Sequence, residues 1–238
     1  MILRRIKRKL YKLTHPALAD VWMLHRVITE RSDVPHEWML EVTPEGLRRR
    51  IERYRDIGGR FVSLDTLMQE LQEPSPHRQP TASVTFDEGC RETLEHIVPL
   101  FQDEEIPFTL FVTTDFVDNA HPIGWYNRQP TMMSWDELVE LSHHPLCTIG
   151  AHTVTHPHLC QLSQEQAFFE VMLSKQILED RLNIPIRYFS YPFGERNAAV
   201  MECVRQAGYT AAFEAWGGAV RTGADRYNLP RIPFTSSI

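Results

Sequence analysis

Two acids, Asp87 and Glu88, stand side by side after the run Ala82-Ser83-Val84-Thr85-Phe86, and Gly89 follows them. Adjacent carboxylates at the end of an apolar strand repel each other and resist burial, and a bound cation is one arrangement that makes them tolerable. Farther along, His152 and His156 are four apart, with Thr153, Val154 and Thr155 between them. If the chain coils after a strand, both imidazoles point the same way. Two imidazoles and a carboxylate make a facial ligand set with positions left open for water. On its own the histidine pair reads as two surface histidines or a capped turn. The acid pair at another strand end shifts the reading toward a metal site.

These groups must be positioned by elements far apart in the chain. Apolar runs at 21–27, 61–63, 82–87, 108–113, 148–152, 186–191 and 210–213 read as strands, several of them continuous as expected when both faces are covered. Helical patterns lie between them. One runs over 44–57, with Thr43 as N-cap, Pro44 early and Gly58-Gly59 beyond it; another covers 91–102. Box-like caps open helices at Ser134 and Ser163, and a last helix covers 197–207. The alternation predicts an α/β fold with a mostly parallel sheet of about seven strands, either a closed or nearly closed barrel or a doubly wound open sheet. Both place functional groups at the carboxyl ends of strands, where Asp87, Glu88, His152 and the turn Tyr191-Pro192-Phe193-Gly194 fall. The 238 residues suffice for one core, so residues 1–238 read as one domain with a basic segment at 1–19 and surface loops at 73–80 and 118–131.

Composition narrows the function. A hydrophobic content of 42% with 24% charged residues describes a globular chain, and a net charge of −6 argues against nucleic acid as a partner. Cys90, Cys147, Cys160 and Cys203 form no CxxC pair and read as reduced thiols of a cytoplasmic protein. No apolar run is long enough to cross a bilayer. The start, MILRRIKRKLYKL, is basic but lacks the apolar segment of a signal peptide, so export by the usual route is not expected. With Ile6, Leu10 and Leu13 on one face, this stretch reads either as a helix docked on the body or as a peripheral foothold on the inner membrane surface.

The motifs together resemble the polysaccharide deacetylases with a NodB-homology domain, carbohydrate esterase family four. The family's TFDDG motif is matched by Thr85-Phe86-Asp87-Glu88-Gly89, its H-[ST]-x-x-H motif by His152 to His156, and its aromatic-Pro-aromatic-Gly turn by Tyr191-Pro192-Phe193-Gly194. The resemblance runs over roughly 20–235 and implies a distorted (β/α) barrel. It implies a metal-dependent hydrolase that removes acetyl groups from an N-acetylated sugar, in a cell-envelope glycan or its precursor. By the same resemblance Asp87 is the general base. Glu88, His152 and His156 hold a divalent metal, zinc first among the choices; Phe193 supplies an oxyanion N–H, and Tyr191 and Phe193 line the substrate site. The rival readings are a related amidase on a non-sugar substrate and a catalytically silent carbohydrate-binding homologue.

The chain departs from the family in three places. The metal acid is usually Asp, and here it is Glu88, one methylene longer. An Arg that orients the base in many relatives is replaced by Ser190, a variant similar to the permuted branch of the family. The C-terminal motif that supplies a protonating histidine is absent, whereas Trp22-Met23-Leu24-His25-Arg26-Val27 resembles the N-terminal histidine segment of that branch. The resemblance therefore makes His25 the acid for the leaving amine. Arg187 and Arg231 are both candidates to pair with Asp87. Trp125, Tyr126, Trp135 and Trp216 are candidates either to stack on sugar rings or to pack in the core.

Overall fold

The computed structural model describes residues 17–29, 40–72 and 79–234. The basic stretch with Ile6, Leu10 and Leu13, and most of the loop at 73–80, lie outside the described residues. The strands are β1 (Ala17–Leu24), β2 (Arg26–Val27), β3 (Glu41–Val42), β4 (Arg60–Phe61), β5 (Thr81–Phe86), β6 (Phe108–Val112), β7 (Cys147–Ala151), β8 (Tyr188–Ser190), β9 (Ala211–Phe213), β10 (Val220–Arg221) and β11 (Ile232–Pro233). The helices are α1 (Pro44–Asp56), α2 (Leu64–Gln72), α3 (Val98–Asp103), α4 (Trp135–Ser142), α5 (Gln164–Leu182) and α6 (Ala198–Gln206).

The main sheet runs β10-β1-β5-β6-β7-β8-β9, and from β1 to β9 every neighbouring pair is parallel. Both β5 and β6 are buried along their whole length, which explains why neither carries a charged residue, only Thr81, Ser83, Thr85 and Thr109 among apolar ones. Alternate residues feed two clusters. Trp22, Leu24, Val84, Phe86, Leu110 and Val112 join the larger core beneath the helices, where Phe86, Phe101 and Phe108 pack at 5.7–6.1 Å. Val21, Phe111, Tyr188 and Phe213 meet in the smaller cluster. Space there is tight. A Cβ at Gly150 would come within 2.6 Å of the Phe111 ring, so β7 needs a glycine where it passes that side chain.

The sheet curls into the expected distorted barrel, and the final segment spans its gap. Leu229 donates its N–H to Ala212 and accepts from Glu214 along β9, while β11 pairs in parallel with β1. The chain between Leu229 and Pro233 therefore reaches from one edge to the other and carries Arg231 inward.

Several boundaries differ from the expectation. The run at 21–27 breaks at His25: β1 ends at Leu24, and β2 pairs with β3 in a separate two-stranded sheet. The run at 61–63 becomes β4, a short strand that pairs with β5 off the main path, while antiparallel β10 joins β1. Helix α2 follows directly, capped where the Ser63 hydroxyl accepts the Thr66 N–H at 3.2 Å. The helix expected at 91–102 opens instead with a π-helical turn, Thr93–Ile97, before α3. Pro99 cannot donate an N–H to the preceding turn, so a regular α ladder cannot run through it.

Candidate active site

Asp87 extends from the end of β5, with its N–H bonded to Leu24 of β1 at 2.9 Å. Its partner is Arg231. This guanidinium is fully buried, and each of its five N–H groups has an acceptor. Nε donates to the Glu214 carbonyl (2.8 Å), Nη1 to Thr85 Oγ1 (3.1 Å) and Asp87 Oδ1 (2.7 Å), and Nη2 to Asp87 Oδ2 (2.6 Å) and Ser190 Oγ (2.7 Å). Ser190 in turn donates to Asp87 Oδ2 at 3.2 Å. Arg187, the other candidate, pairs on the surface with Asp65. Burial alone would raise the Asp87 carboxyl. The Arg231 charge and hydrogen bonds, with His152 and His25 beyond them, outweigh it and hold Asp87 well below the ordinary carboxylate range.

His152 follows β7 and His156 follows after one turn. His152 Nδ1 donates to the Ser190 carbonyl at 2.8 Å, which leaves a lone pair on Nε2. The two Nε2 atoms stand 3.1 Å apart. Burial lowers both imidazoles, more strongly at His156, where His152 adds to the effect, so both are neutral donors. With metal–nitrogen bonds of about 2.0–2.1 Å, that separation corresponds to a ligand–metal–ligand angle of roughly 100°, within the range of a facial set. The pair therefore fits two ligands of one cation. His156 Nδ1 is buried without a partner.

The carboxylates are arranged differently from a simple three-ligand site. The oxygen beside His152 Nε2 is Asp87 Oδ2, at 3.8 Å. Glu88 lines the same cavity, but Tyr126 donates its hydroxyl to Glu88 Oε2 at 3.1 Å, and Cys90 Sγ lies at 3.9 Å. Among the described residues no group of three or more His, Cys, Asp or Glu side chains converges as a ligand set. Burial, and then the Asp87 charge, push the Glu88 carboxyl up to about 8. Glu88 also adopts a left-handed backbone conformation with φ 77°.

These groups open into a cavity of about 300 Å³ that His25 lines from the β1 side. Burial pushes His25 down to about 4, with Asp87 opposing that shift, so the ring is neutral. Trp125, Tyr191, Phe193 and Trp216 form the aromatic part of the wall. Trp125 packs on His156 with ring centroids 4.4 Å apart, and Phe193 and Trp216 are 40% and 53% exposed at the rim, positioned to meet a ligand. Tyr191 lines the cavity with its ring, while its hydroxyl is bonded to the Tyr227 carbonyl. Trp135 lies away from the cavity under Arg181, and Tyr126 is buried behind it.

Two supports of this site carry no motif in the sequence. Arg196 donates to the Gly194 carbonyl and to Asn228, and pairs with Glu214, so it fixes the turn that presents Phe193 at φ 57°. Gly194 is required there, because a Cβ would sit 2.6 Å from Ala215. His158, next to the histidine motif but outside its spacing, stacks flat on Phe193 at 4.0 Å.

The sequence profile described as polysaccharide deacetylase matches residues 75–212. No curated protein matches the chain. Similar solved structures include the Streptococcus pyogenes deacetylase PplD in complex with acetate, at 19% identity and TM-score 0.79, covering 93% of this chain and 94% of that one. IcaB from Ammonifex degensii is similar at 23% identity and TM-score 0.79, covering 92% of each chain. The de-N-acetylase from Aggregatibacter actinomycetemcomitans is similar at 17% identity and TM-score 0.77, covering 92% and 96%. At these identities the likeness is one of fold. No helix among the described residues is long and apolar enough to cross a membrane.

Proposed function

The chain belongs to the polysaccharide deacetylase family, and from that premise we propose that it is a metal-dependent hydrolase that removes acetyl groups from an N-acetylated sugar of a cell-envelope glycan or its precursor. The observation that carries the reading is the meeting of two neutral imidazole nitrogens, 3.1 Å apart, beside a carboxylate kept ionised by a saturated arginine. The aromatic rim suits the C–H face of a pyranose ring, and the similar PplD was observed with acetate.

His152 and His156 would hold the cation, with Glu88 as the third donor. A divalent cation such as zinc supplies Lewis acidity there, polarising an amide carbonyl and making a neighbouring water more acidic. Asp87 takes the proton of the attacking water. Because Arg231 binds both its oxygens, Asp87 is a weak base, suited to a water already more acidic than bulk. By the family resemblance the Phe193 N–H would stabilise the oxygen that gains charge. His25 enters the cycle neutral, so it can protonate the leaving nitrogen only with a proton gained within the cycle, and the proton removed from water is the one available. Amide and water balance as acetate and the protonated amine, both protons of the attacking water ending on the nitrogen.

The silent-binder reading draws on one observation: Tyr126 engages Glu88. Two measurements separate the readings. The protein is stripped with chelator, reloaded with zinc, and assayed for acetate release from N-acetylglucosamine oligomers and from a non-sugar acetamide. Stoichiometric zinc with zinc-dependent acetate release from the oligomers supports the proposal. No zinc uptake at neutral pH refutes it, and release from the non-sugar amide alone selects the related amidase.

A further inference from the structure

The loop that brings the two histidines together contains two non-glycine residues in the left-handed region, Thr153 at φ 67° and His156 at φ 58°. A β-branched residue is rarely found there, and such conformations persist only where the surroundings over-determine them. Part of the restraint is local, since the Thr153 hydroxyl accepts the His156 N–H at 3.0 Å. Part comes from the end of β6, where Thr114 and Asp115 donate their N–H groups to the carbonyls of Thr153 (3.3 Å) and Val154 (3.0 Å).

The other side of the loop is held by one side chain. Glu170 accepts the N–H groups of Val154 and Thr155 on Oε2, at 2.9 and 3.0 Å, and the Thr155 hydroxyl on Oε1, at 2.8 Å. Glu170 stands on α5, whose Ala167, Val171, Ser174 and Leu178 are buried against the body. A carboxylate on a well-anchored helix thus fixes the residues that separate the histidines. We propose that Glu170 is a positioning residue: by clamping Val154 and Thr155 it sets the separation of His152 and His156, and with it the affinity of the site for a divalent cation.

This rests on the reading of His152 and His156 as the cation's ligands, so the experiment keeps the two apart. Zinc affinity is measured by competition with a chromophoric chelator for the unaltered protein, Glu170→Leu, Glu170→Gln and Glu165→Gln. The leucine keeps the bulk and loses every acceptor. The glutamine keeps an acceptor oxygen. The Glu165 change removes the same charge from the same helix at a side chain that makes no hydrogen bond to the loop. Loss of a group that orients a metal ligand typically costs about 10–100-fold in affinity. That loss is expected for Glu170→Leu, with Glu170→Gln closer to the unaltered protein, Glu165→Gln unchanged, and the melting point of the metal-free Glu170→Leu protein little altered. Equal zinc affinity in Glu170→Leu and the unaltered protein overturns the proposal. If Glu170→Leu fails to fold, Thr155→Val, which removes one of the three bonds, must show a smaller loss in the same direction.

If the unaltered protein takes up no zinc, the cation reading fails by itself. The clamp is then judged in metal-free protein, from the imidazole nitrogen shifts of His152 and His156. A shift that marks their contact and is lost in Glu170→Leu supports the clamp, and identical spectra refute it.

Discussion

Replacing Arg231 by methionine tests how the centre of the barrel is held together. The methionine fills much of the same volume but leaves Asp87 without a counter-charge. It also strips donors from Ser190, Thr85 and the Glu214 carbonyl. Both partners of the ion pair are shielded from water, at 0% and 3% exposure, so solvent cannot replace the lost contacts. Breaking a buried pair by removing one partner costs about 3–5 kcal/mol. For a chain of this size about 1 kcal/mol moves the melting point by roughly 2–4 °C, so a fall of about 6–20 °C is expected by calorimetry. Asp87→Leu added to Arg231→Met should recover most of the loss, because it removes the stranded charge. The pH dependence has a definite sign. The Asp87 carboxyl is held lower in the folded chain than in the unfolded one, so its contribution is complete above the unfolded value of about 3.9 and is lost as pH falls toward the folded value. In Arg231→Met burial acts on Asp87 without its counter-charge and raises it, so the gap between the unaltered protein and the variant should begin to narrow as pH falls through that raised value, above about 4, and go on narrowing in stronger acid. A melting point within about 2 °C of the unaltered protein, or no recovery in the double variant, would refute the reasoning.

Four further outcomes are expected. Asp87→Asn should reduce acetate release by about 10²–10⁴-fold, measured below its own lowered melting point, since an amide cannot neutralise Arg231; activity within a few-fold of normal would remove Asp87 as the base. His25→Gln should lower kcat by a similar factor of about 10²–10⁴ with zinc content by elemental analysis unchanged, and a parallel loss of zinc would show that His25 acts on the metal instead. Glu88→Asp, which restores the family's usual residue, should keep or raise zinc affinity in titration calorimetry; a clear weakening would show that the longer side chain is itself required. Ser163→Ala removes the hydroxyl that caps α5 at the Gln166 N–H and should cost about 1 kcal/mol, with kcat unchanged below the melting transition.

The chemistry-bearing residues were legible because their spacing is local. Asp87 and Glu88 are adjacent, His152 and His156 are one turn apart, and each group ends a strand that its own apolar run announces. Periodicity also marked the helices whose ends carry caps, as at Thr43, Ser134 and Ser163. Short elements escaped it. Two residues of β3, β10 or β11 are too few to show a period, and α2 was hidden behind the strand reading at 61–63.

What the sequence by itself determined was the family, the fold class and the set of groups able to do chemistry, since each of these is written in neighbouring residues. The tertiary structure decided the partners. It chose Arg231 over Arg187 for Asp87, a pairing across 144 positions that exists only because the last segment spans the gap between β9 and β1. It brought His25 to the cavity that holds Asp87 and the histidines, and it gave Glu88 to Tyr126, 38 positions away. Contacts between distant residues depend on how the sheet curls and where the staves stop, and no local pattern of residue types encodes that geometry.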